Sequence, residues 1–212
     1  MTDKFRNKYR IPPARRPSWD YAWSANYFIT ICTKDRHHFF GNVLKGEMQL
    51  SEIGRIVESE WLKTSDIRSD MNIHLGAFVI MPNHFHAIVT IDDNEFNSGR
   101  DAMLGVSVPS ENRIPEGSAI PEGDTRPQRD AKHGVSTDFK NAFIPQSKNL
   151  SSIVRGFKSA VTVQARSMRA DFEWQTRFHD HIIRNSNSHQ IIEYYILNNP
   201  INWMEDELFS VT

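Results

Sequence analysis

A chain of 212 residues, 39% hydrophobic and 24% charged, is long enough to bury a substantial core and is the size of one domain, or of one domain carrying an insertion. One cysteine, Cys32, excludes an internal disulfide and suits a reducing compartment, and no apolar run approaches the roughly 18 residues of a membrane span. The net charge of −1 hides a gradient: residues 92–140 hold ten acidic and six basic residues, which leaves +3 on the remainder.

Residues 1–19 read as a flexible basic arm broken by Pro12, Pro13 and Pro17. Six of its first 16 residues are Lys or Arg, a charge that suits a phosphate backbone and bulk solvent equally. No apolar segment of the signal-peptide kind follows Lys4 to Arg16, so the expectation is a soluble, cytoplasmic protein. Tyr27–Cys32 has strong strand propensity, and the polar Thr33–His38 forms a loop. Ser51 is placed to cap a helix in which Ile53, Val57 and Trp61 recur at spacing four.

The most informative stretch is Ile73–Ile91. Two β-rich runs flank Pro82-Asn83, which is turn chemistry, so a β-hairpin is expected. On its second strand His84 and His86 share a face while Phe85 points the other way. Two imidazoles about 7 Å apart along one strand are able to bind one metal ion from the same side. A solvated or core pair is the plain alternative; the apolar strand and the tight turn before it favour ligands.

From 93 to 147 hydrophobic period collapses, and Ile-Pro-Glu-Gly occurs twice, at 114–117 and 120–123; this reads as a long, mostly disordered insertion. Helical spacing returns with Ile153, Phe157, Val161 and Met168, capped by Ser151 or Ser152. Arg155, Lys158, Arg166 and Arg169 fall within an arc of about 80° on that helix, a basic stripe suited to a polyanion or to solvent. Phe172–His181, with Trp174 and Arg177, mixes rings and cations as single-stranded nucleic acid requires. The last helix, Gln190–Asn199, is capped by Asn187 or Ser188 and halted by Pro200. Tyr195 and Asn199 share a face, as do Tyr194 and Asn198; spacing alone favours a core tyrosine and a capping asparagine.

Taken together these blocks resemble the HUH single-tyrosine transposases, in particular the REP-associated tyrosine transposases of bacteria. His84-Phe85-His86 matches the two histidines around a bulky apolar residue, within Val79-Ile80-Met81-Pro82-Asn83. Tyr27 to Arg36 is similar to the family's first strand and loop. Ser152-Ile153-Val154-Arg155-Gly156-Phe157-Lys158-Ser159, Trp174-Gln175, Asp180 to Asn185 and Tyr195 to Pro200 follow in the family's order. The likeness covers about 20–92 and 148–205; the insertion at 93–147 is the main departure.

The resemblance implies an α+β, ferredoxin-like HUH nuclease fold, a central antiparallel sheet with helices packed on it. It implies that Tyr195 attacks the scissile phosphate of single-stranded, hairpin-containing DNA of repetitive palindromic elements. A 5′-phosphotyrosine and a free 3′-hydroxyl result, and the strands are later rejoined. The family places Asn immediately before Pro, which selects Tyr195 with Asn199 over Tyr194 with Asn198. His84, His86 and Asn199 would hold Mg²⁺ or Mn²⁺, the imidazoles favouring Mn²⁺. Arg155, Lys158, Arg166, Arg169, Trp174, Arg177 and Arg184 are the expected DNA contacts. The family contains monomers and dimers that exchange the tyrosine helix, so a homodimer stays open, and a nucleoid-associated bacterial protein is implied. Two rival readings are a domesticated, non-catalytic DNA-binding protein and a zinc hydrolase built on His84, His86, His179 and His181.

Overall fold

The computed structural model describes residues 19–98 and 147–210, together with the backbone of two short strands, β1 (Lys4–Phe5) and β2 (Lys8–Tyr9), which pair antiparallel. The rest of the expected arm before Trp19, and residues 99–146 of the expected insertion, lie outside the described residues. Trp19 itself belongs to the folded part, with Nε1 donating to Tyr27 Oη at 3.1 Å.

Four strands form the central sheet: β3 (Ala25–Cys32), β6 (Ile73–Met81), β7 (His84–Ile91) and β8 (His179–Ile183). Their order is β6-β7-β3-β8, with every neighbouring pair antiparallel. A helix, α1 (Glu52–Leu62), precedes β6, and a second, α3 (Leu150–Met168), precedes β8. The path is therefore βαββαβ, the ferredoxin-like connection, and the fold is the expected α+β class. A short helix, α2 (Thr64–Ile67), continues α1 after a one-residue break.

Sequence periodicity misses strand β8 and the hairpin of β4 (Gly41–Leu44) and β5 (Glu47–Leu50). After the buried Gly41 the hairpin's residues alternate between half-buried and exposed, so the apolar signal is faint. The turn, Lys45-Gly46, has positive φ at both residues (54° and 78°), the left-handed pair that matches strand twist.

Alternation on the strands divides the sheet into two faces. Tyr27, Ile29 and Ile31 of β3, with Phe85, Ala87, Val89 and Ile91 of β7, join Ile53, Val57 and Trp61 of α1 and Ile153, Phe157 and Val161 of α3 in the main core. Ser51 caps α1 as expected, Oγ accepting from Gly54 N at 3.0 Å. On α3 the cap is Asn149, not Ser151 or Ser152. Asn149 Oδ1 accepts from Ser152 N while Ser152 Oγ accepts from Asn149 N, a reciprocal box stabilising the helix by about 1 kcal/mol. Met168 does not join the buried face: it is exposed, Ala165 fills that position, and the helix ends before Arg169, whose backbone is extended.

The opposite face is covered by α4 (Ser186–Asn198), capped by Asn185 rather than Asn187 or Ser188 because its Oδ1 reaches Ser188 N at 2.8 Å. Ile196 is fully buried there with Ile88 and Ile183, and Phe28, Ala77, Val79 and Ile192 complete the contact. Each apolar side chain so buried stabilises the docking by about 1.5–3 kcal/mol.

Residues 93–98, expected to open the insertion, are part of the folded chain. Asn97 is buried, its Nδ2 donating to Ala22 O and Asp92 O, and Asn94 Nδ2 donates to Met71 O and Asp92 O. The chain is thus tied to the sheet up to Ser98, and it meets the return segment there, with Lys148 Nζ 4.6 Å from the centre of the Phe96 ring. Replacing residues 99–146 by a Gly/Ser linker of about six residues, which spans up to about 20 Å, is expected to leave a folded protein with unchanged melting temperature. Thermal melts followed by circular dichroism check this; a lost transition would place those residues in the core.

Candidate active site

Antiparallel pairing sets Cys32 opposite His84 and Thr30 opposite His86, in the middle of the sheet and on the face that α4 covers. Both histidines are buried, with exposures of 0% and 3%, and their ring centres are 4.5 Å apart. The tautomer of His84 follows from its neighbours. Asn83 Nδ2 donates to Leu208 O (2.9 Å) and Ser210 Oγ (3.0 Å), which turns its Oδ1 toward His84 Nδ1 at 2.8 Å. An amide oxygen only accepts, so Nδ1 carries the proton and Nε2 is left with its lone pair. That Nε2 is buried and has no partner among the described residues.

His86 is held by Thr30 Oγ1 at its Nδ1 (2.8 Å), and its Nε2 lies 3.2 Å from Tyr195 Oη. The Tyr195 ring stands edge-on to Phe28 and to His86. Asn199, just past the end of α4, is 2% exposed; its Oδ1 also lacks a partner among the described residues. Tyr194 and Asn198 face elsewhere: Tyr194 is 70% exposed, and Asn198 Nδ2 donates back to Tyr194 O. One helical step of about 100° separates the two tyrosines; Tyr195 meets His86, and Asn199 joins it through the Asp206 carboxylate. Ile192 helps to seat this helix, whereas its neighbour Ile191 is exposed.

One member of the site was not anticipated. Asp206 follows a 3₁₀ turn, Trp203–Glu205, and its Oδ1 accepts from Leu208 N. Its Oδ2 accepts from Tyr195 Oη at 3.0 Å and from Asn199 Nδ2 at 2.7 Å. Ligand-capable atoms of His84, His86 and Asp206 all lie within 4.8 Å of one another, and neither His179 nor His181 joins that group. In sequence Asp206 sits inside Glu205-Asp206-Glu207, which reads as a solvated acidic run; nothing in its spacing marks it. Two neutral imidazoles and a carboxylate form a donor set suited to a divalent cation.

Burial dominates the protonation of the site. It holds His84 well below the ordinary histidine value, helped by the charges of His86 and Arg36, and pushes His86 down to about 4 despite Asp206. Burial first, and then the Asp206 carboxylate, hold the Tyr195 phenol above its ordinary value. The imidazoles are thus in their ligating form at neutral pH, while the phenol keeps its proton.

A cleft of about 740 Å³ opens onto this cluster, lined by His86, Tyr195 and Asp206 and by Arg36, Arg177 and His179. Of the residues expected to meet DNA, Arg177 lines this cleft, while Arg184 lines a separate one of about 410 Å³ with Asp180 and His181. Lys158 is turned inward, Nζ donating to Gln175 O (2.8 Å) and Arg177 O (3.2 Å). Arg166 Nε donates to Phe172 O and Arg169 grips Asp171 through two nitrogens, so both are engaged with the segment after α3. Arg155 is exposed on α3, near enough to Arg68 for their charges to interact. Trp174 packs against Phe40, Phe157 and Phe172, and its Nε1 donates to Lys158 O.

Fold and cleft together define a ferredoxin-like domain that buries a two-histidine, carboxylate-bearing cluster beneath a helix tyrosine. The chain belongs to the same family as an uncharacterized protein of Haemophilus influenzae (strain Rd), to which it is 32% identical over 199 residues, covering 92% of this chain and 91% of that protein. No family model matches it. Among solved structures it is similar to a REP-associated tyrosine transposase bound to a REP hairpin, at 18% identity and a TM-score of 0.49, over 89% of this chain and 74% of that one. A Deinococcus radiodurans R1 protein provisionally assigned as a transposase is more distant, at 11% identity and a TM-score of 0.36, over 87% of this chain and 98% of that one. Scores this low assign nothing by themselves.

The buried imidazoles make stability depend on acid. The unfolded chain takes up protons on these histidines near pH 6.5, the folded chain on His86 only near pH 4, so the unfolded state binds more protons between these values. The metal-free protein is therefore expected to be most stable above pH 6.5 and to lose about 3 kcal/mol on His86 alone as pH falls to about 4. Urea melts across this range check it, and the slope should flatten in a His84→Ala/His86→Ala variant.

Proposed function

We propose that this protein is a metal-dependent, single-tyrosine DNA nuclease and transposase that acts on single-stranded, hairpin-containing DNA. The observation that carries the reading is Tyr195 Oη, 3.0 Å from the Asp206 carboxylate and 3.2 Å from His86 Nε2, at the edge of a cluster in which His84 Nε2 and Asn199 Oδ1 lack partners among the described residues. The resemblance of the sequence blocks to the HUH transposases supports the same chemistry.

In this reading Tyr195 Oη attacks the scissile phosphorus. The new bond is Tyr O–P, the bond broken is P–O3′, and the 3′ oxygen leaves as a hydroxyl after taking a proton from solvent water. The phenol is a poor nucleophile while protonated, since an ordinary tyrosine is ionised at about one part in a thousand at pH 7. Asp206, whose Oδ2 already accepts from Tyr195 Oη, is the group positioned to take its proton on attack. His84, His86, Asp206 and Asn199 would hold Mg²⁺ or Mn²⁺, which when bound supplies positive charge to a phosphate oxygen. Asn83 and Thr30 fix the imidazoles from behind, as partners of metal-bound histidines commonly do. DNA runs along the cleft, with Arg177 at its wall and Arg155 and Arg184 outside it as further phosphate contacts. Reversal, with a 3′-hydroxyl attacking the phosphotyrosine, rejoins strands without ATP.

The test uses a labelled pool of hairpin oligonucleotides flanked by randomised single strands, with Mn²⁺, and reads the covalent adduct on denaturing gels. Wild type and Tyr194→Phe should form it. Tyr195→Phe should fold and form none, and mass spectrometry should map the link to Tyr195. His84→Ala and His86→Ala should abolish it. An adduct on Tyr194, or cleavage that survives both histidine changes, would sink this mechanism.

Asp206→Asn keeps the side chain's shape but loses its charge. Because a direct charged ligand is removed, it is expected to weaken Mn²⁺ binding by at least the roughly ten- to hundredfold that losing a partner behind a metal ligand costs. Adduct formation is expected to slow as well. Calorimetric titration with Mn²⁺ and single-turnover kinetics read the two effects separately.

A further inference from the structure

The walls of the cleft beside Tyr195 carry opposite charges. Glu205, Asp206 and Glu207 contribute acids, and Arg36 and Arg177 contribute cations. Arg36 stands in the loop after β3, where it and Asp35 both adopt left-handed backbone (φ 61° and 52°), a conformation disfavoured for residues with a side chain. The loop is nevertheless pinned. Thr33 Oγ1 lies within bonding distance of the carbonyls of His37 (2.8 Å) and Asn83 (3.0 Å), and Ser210 Oγ donates to Arg36 O at 3.3 Å. Asn83 is also the residue that orients His84, so the Arg36 loop and the histidine cluster share one anchor.

With its backbone so held, the guanidinium is unspent. Arg36 Nη1 is buried and has no hydrogen-bond partner among the described residues. Other arginines here are used by the fold: Arg68 on Ser152 O, Arg166 on Phe172 O, Arg169 on Asp171. A buried donor beside a cleft, charged and without an acceptor, is complementary to an anionic ligand. Its planar fork suits the two free oxygens of a phosphodiester. The acidic wall repels an approaching strand, so a phosphate is favoured on the arginine side.

We propose that Arg36 is a phosphate-binding residue of this cleft, gripping a backbone phosphate of the single strand processed at Tyr195. The assignment rests on the nuclease reading for the identity of the strand, but it has its own measurement. Arg36→Gln and Arg36→Lys are compared with wild type for binding of a fluorescein-labelled oligothymidylate in EDTA across a salt series. Arg36→Gln should weaken binding about tenfold or more and reduce the salt slope by about 0.7, the share of one phosphate contact on a single strand. Arg36→Lys should keep the slope and bind with intermediate affinity. Melting temperature should not fall in either, because Nη1 holds no acceptor of the fold among the described residues.

In the adduct assay, single neutral methylphosphonate linkages along the strand should slow wild type at one position, and that position should cost Arg36→Gln nothing further. Unchanged affinity and slope in Arg36→Gln would overturn the proposal, as would a loss explained by a lowered melting temperature. Oligothymidylate that does not bind wild type would overturn it as well. If wild type binds the strand but forms no adduct, the nuclease reading falls, while the salt slope still decides Arg36.

Discussion

Everything in this molecule depends on strand β7 being buried on both faces. It lies between β3 and β6, and its period of two sends Phe85, Ala87, Val89 and Ile91 into the main core. The same period sends His84, His86 and Ile88 to the face under α4. A pair of imidazoles on an edge strand would be hydrated and would titrate normally. In the middle of the sheet they lose water, stay neutral, and need partners for both ring nitrogens. The fold supplies one partner to each Nδ1, from Asn83 and Thr30, and leaves the Nε2 atoms for the cluster.

The second dependence is the docking of α4. Ile192 and Ile196 hold the helix against Phe28, Val79 and Ile88, and this apolar contact, rather than any polar bond, brings Tyr195 to His86. Although the Tyr195 ring is partly exposed, desolvation at its hydroxyl works against ionising it, and the neighbouring carboxylate adds to that opposition. Asp206 stands where it accepts a hydrogen bond from the phenol, an arrangement that favours the protonated hydroxyl over a free phenolate. A cation near the imidazoles would offset the same carboxylate charge.

The segment after α4 ties these parts together. Trp203 lies against His84, with ring centres 5.8 Å apart, and Asp206 bridges Tyr195 and Asn199. Leu208 and Ser210 fix the Asn83 amide, which in turn sets the tautomer of His84. A few polar contacts from the end of the chain therefore govern the chemistry of a strand more than a hundred residues earlier.

Periodicity in the sequence is sufficient for the strands around Tyr27–Cys32 and Ile73–Ile91, for α1, and for most of α3, because each carries a regular apolar stripe. The same alternation puts His84 and His86 on one face, and helical spacing puts Tyr195 over Asn199, without any knowledge of the fold. Helix caps are less legible: Asn149 and Asn185 were preceded or followed by other capable residues, and only backbone geometry chooses among them. The arc of basic residues on α3 is a property of an ideal helix. The helix ends before Arg169, and a loop seventeen to nineteen residues on from Lys158 turns that side chain inward. Asp206 and Arg36 are invisible to spacing, since one sits in an ordinary acidic run and the other in a polar loop. Local pattern determines which side chains share a strand face or a helix face. Which faces meet, which donors are left without partners, and which charge enters the cleft are set by long-range packing, and only the tertiary structure decides them.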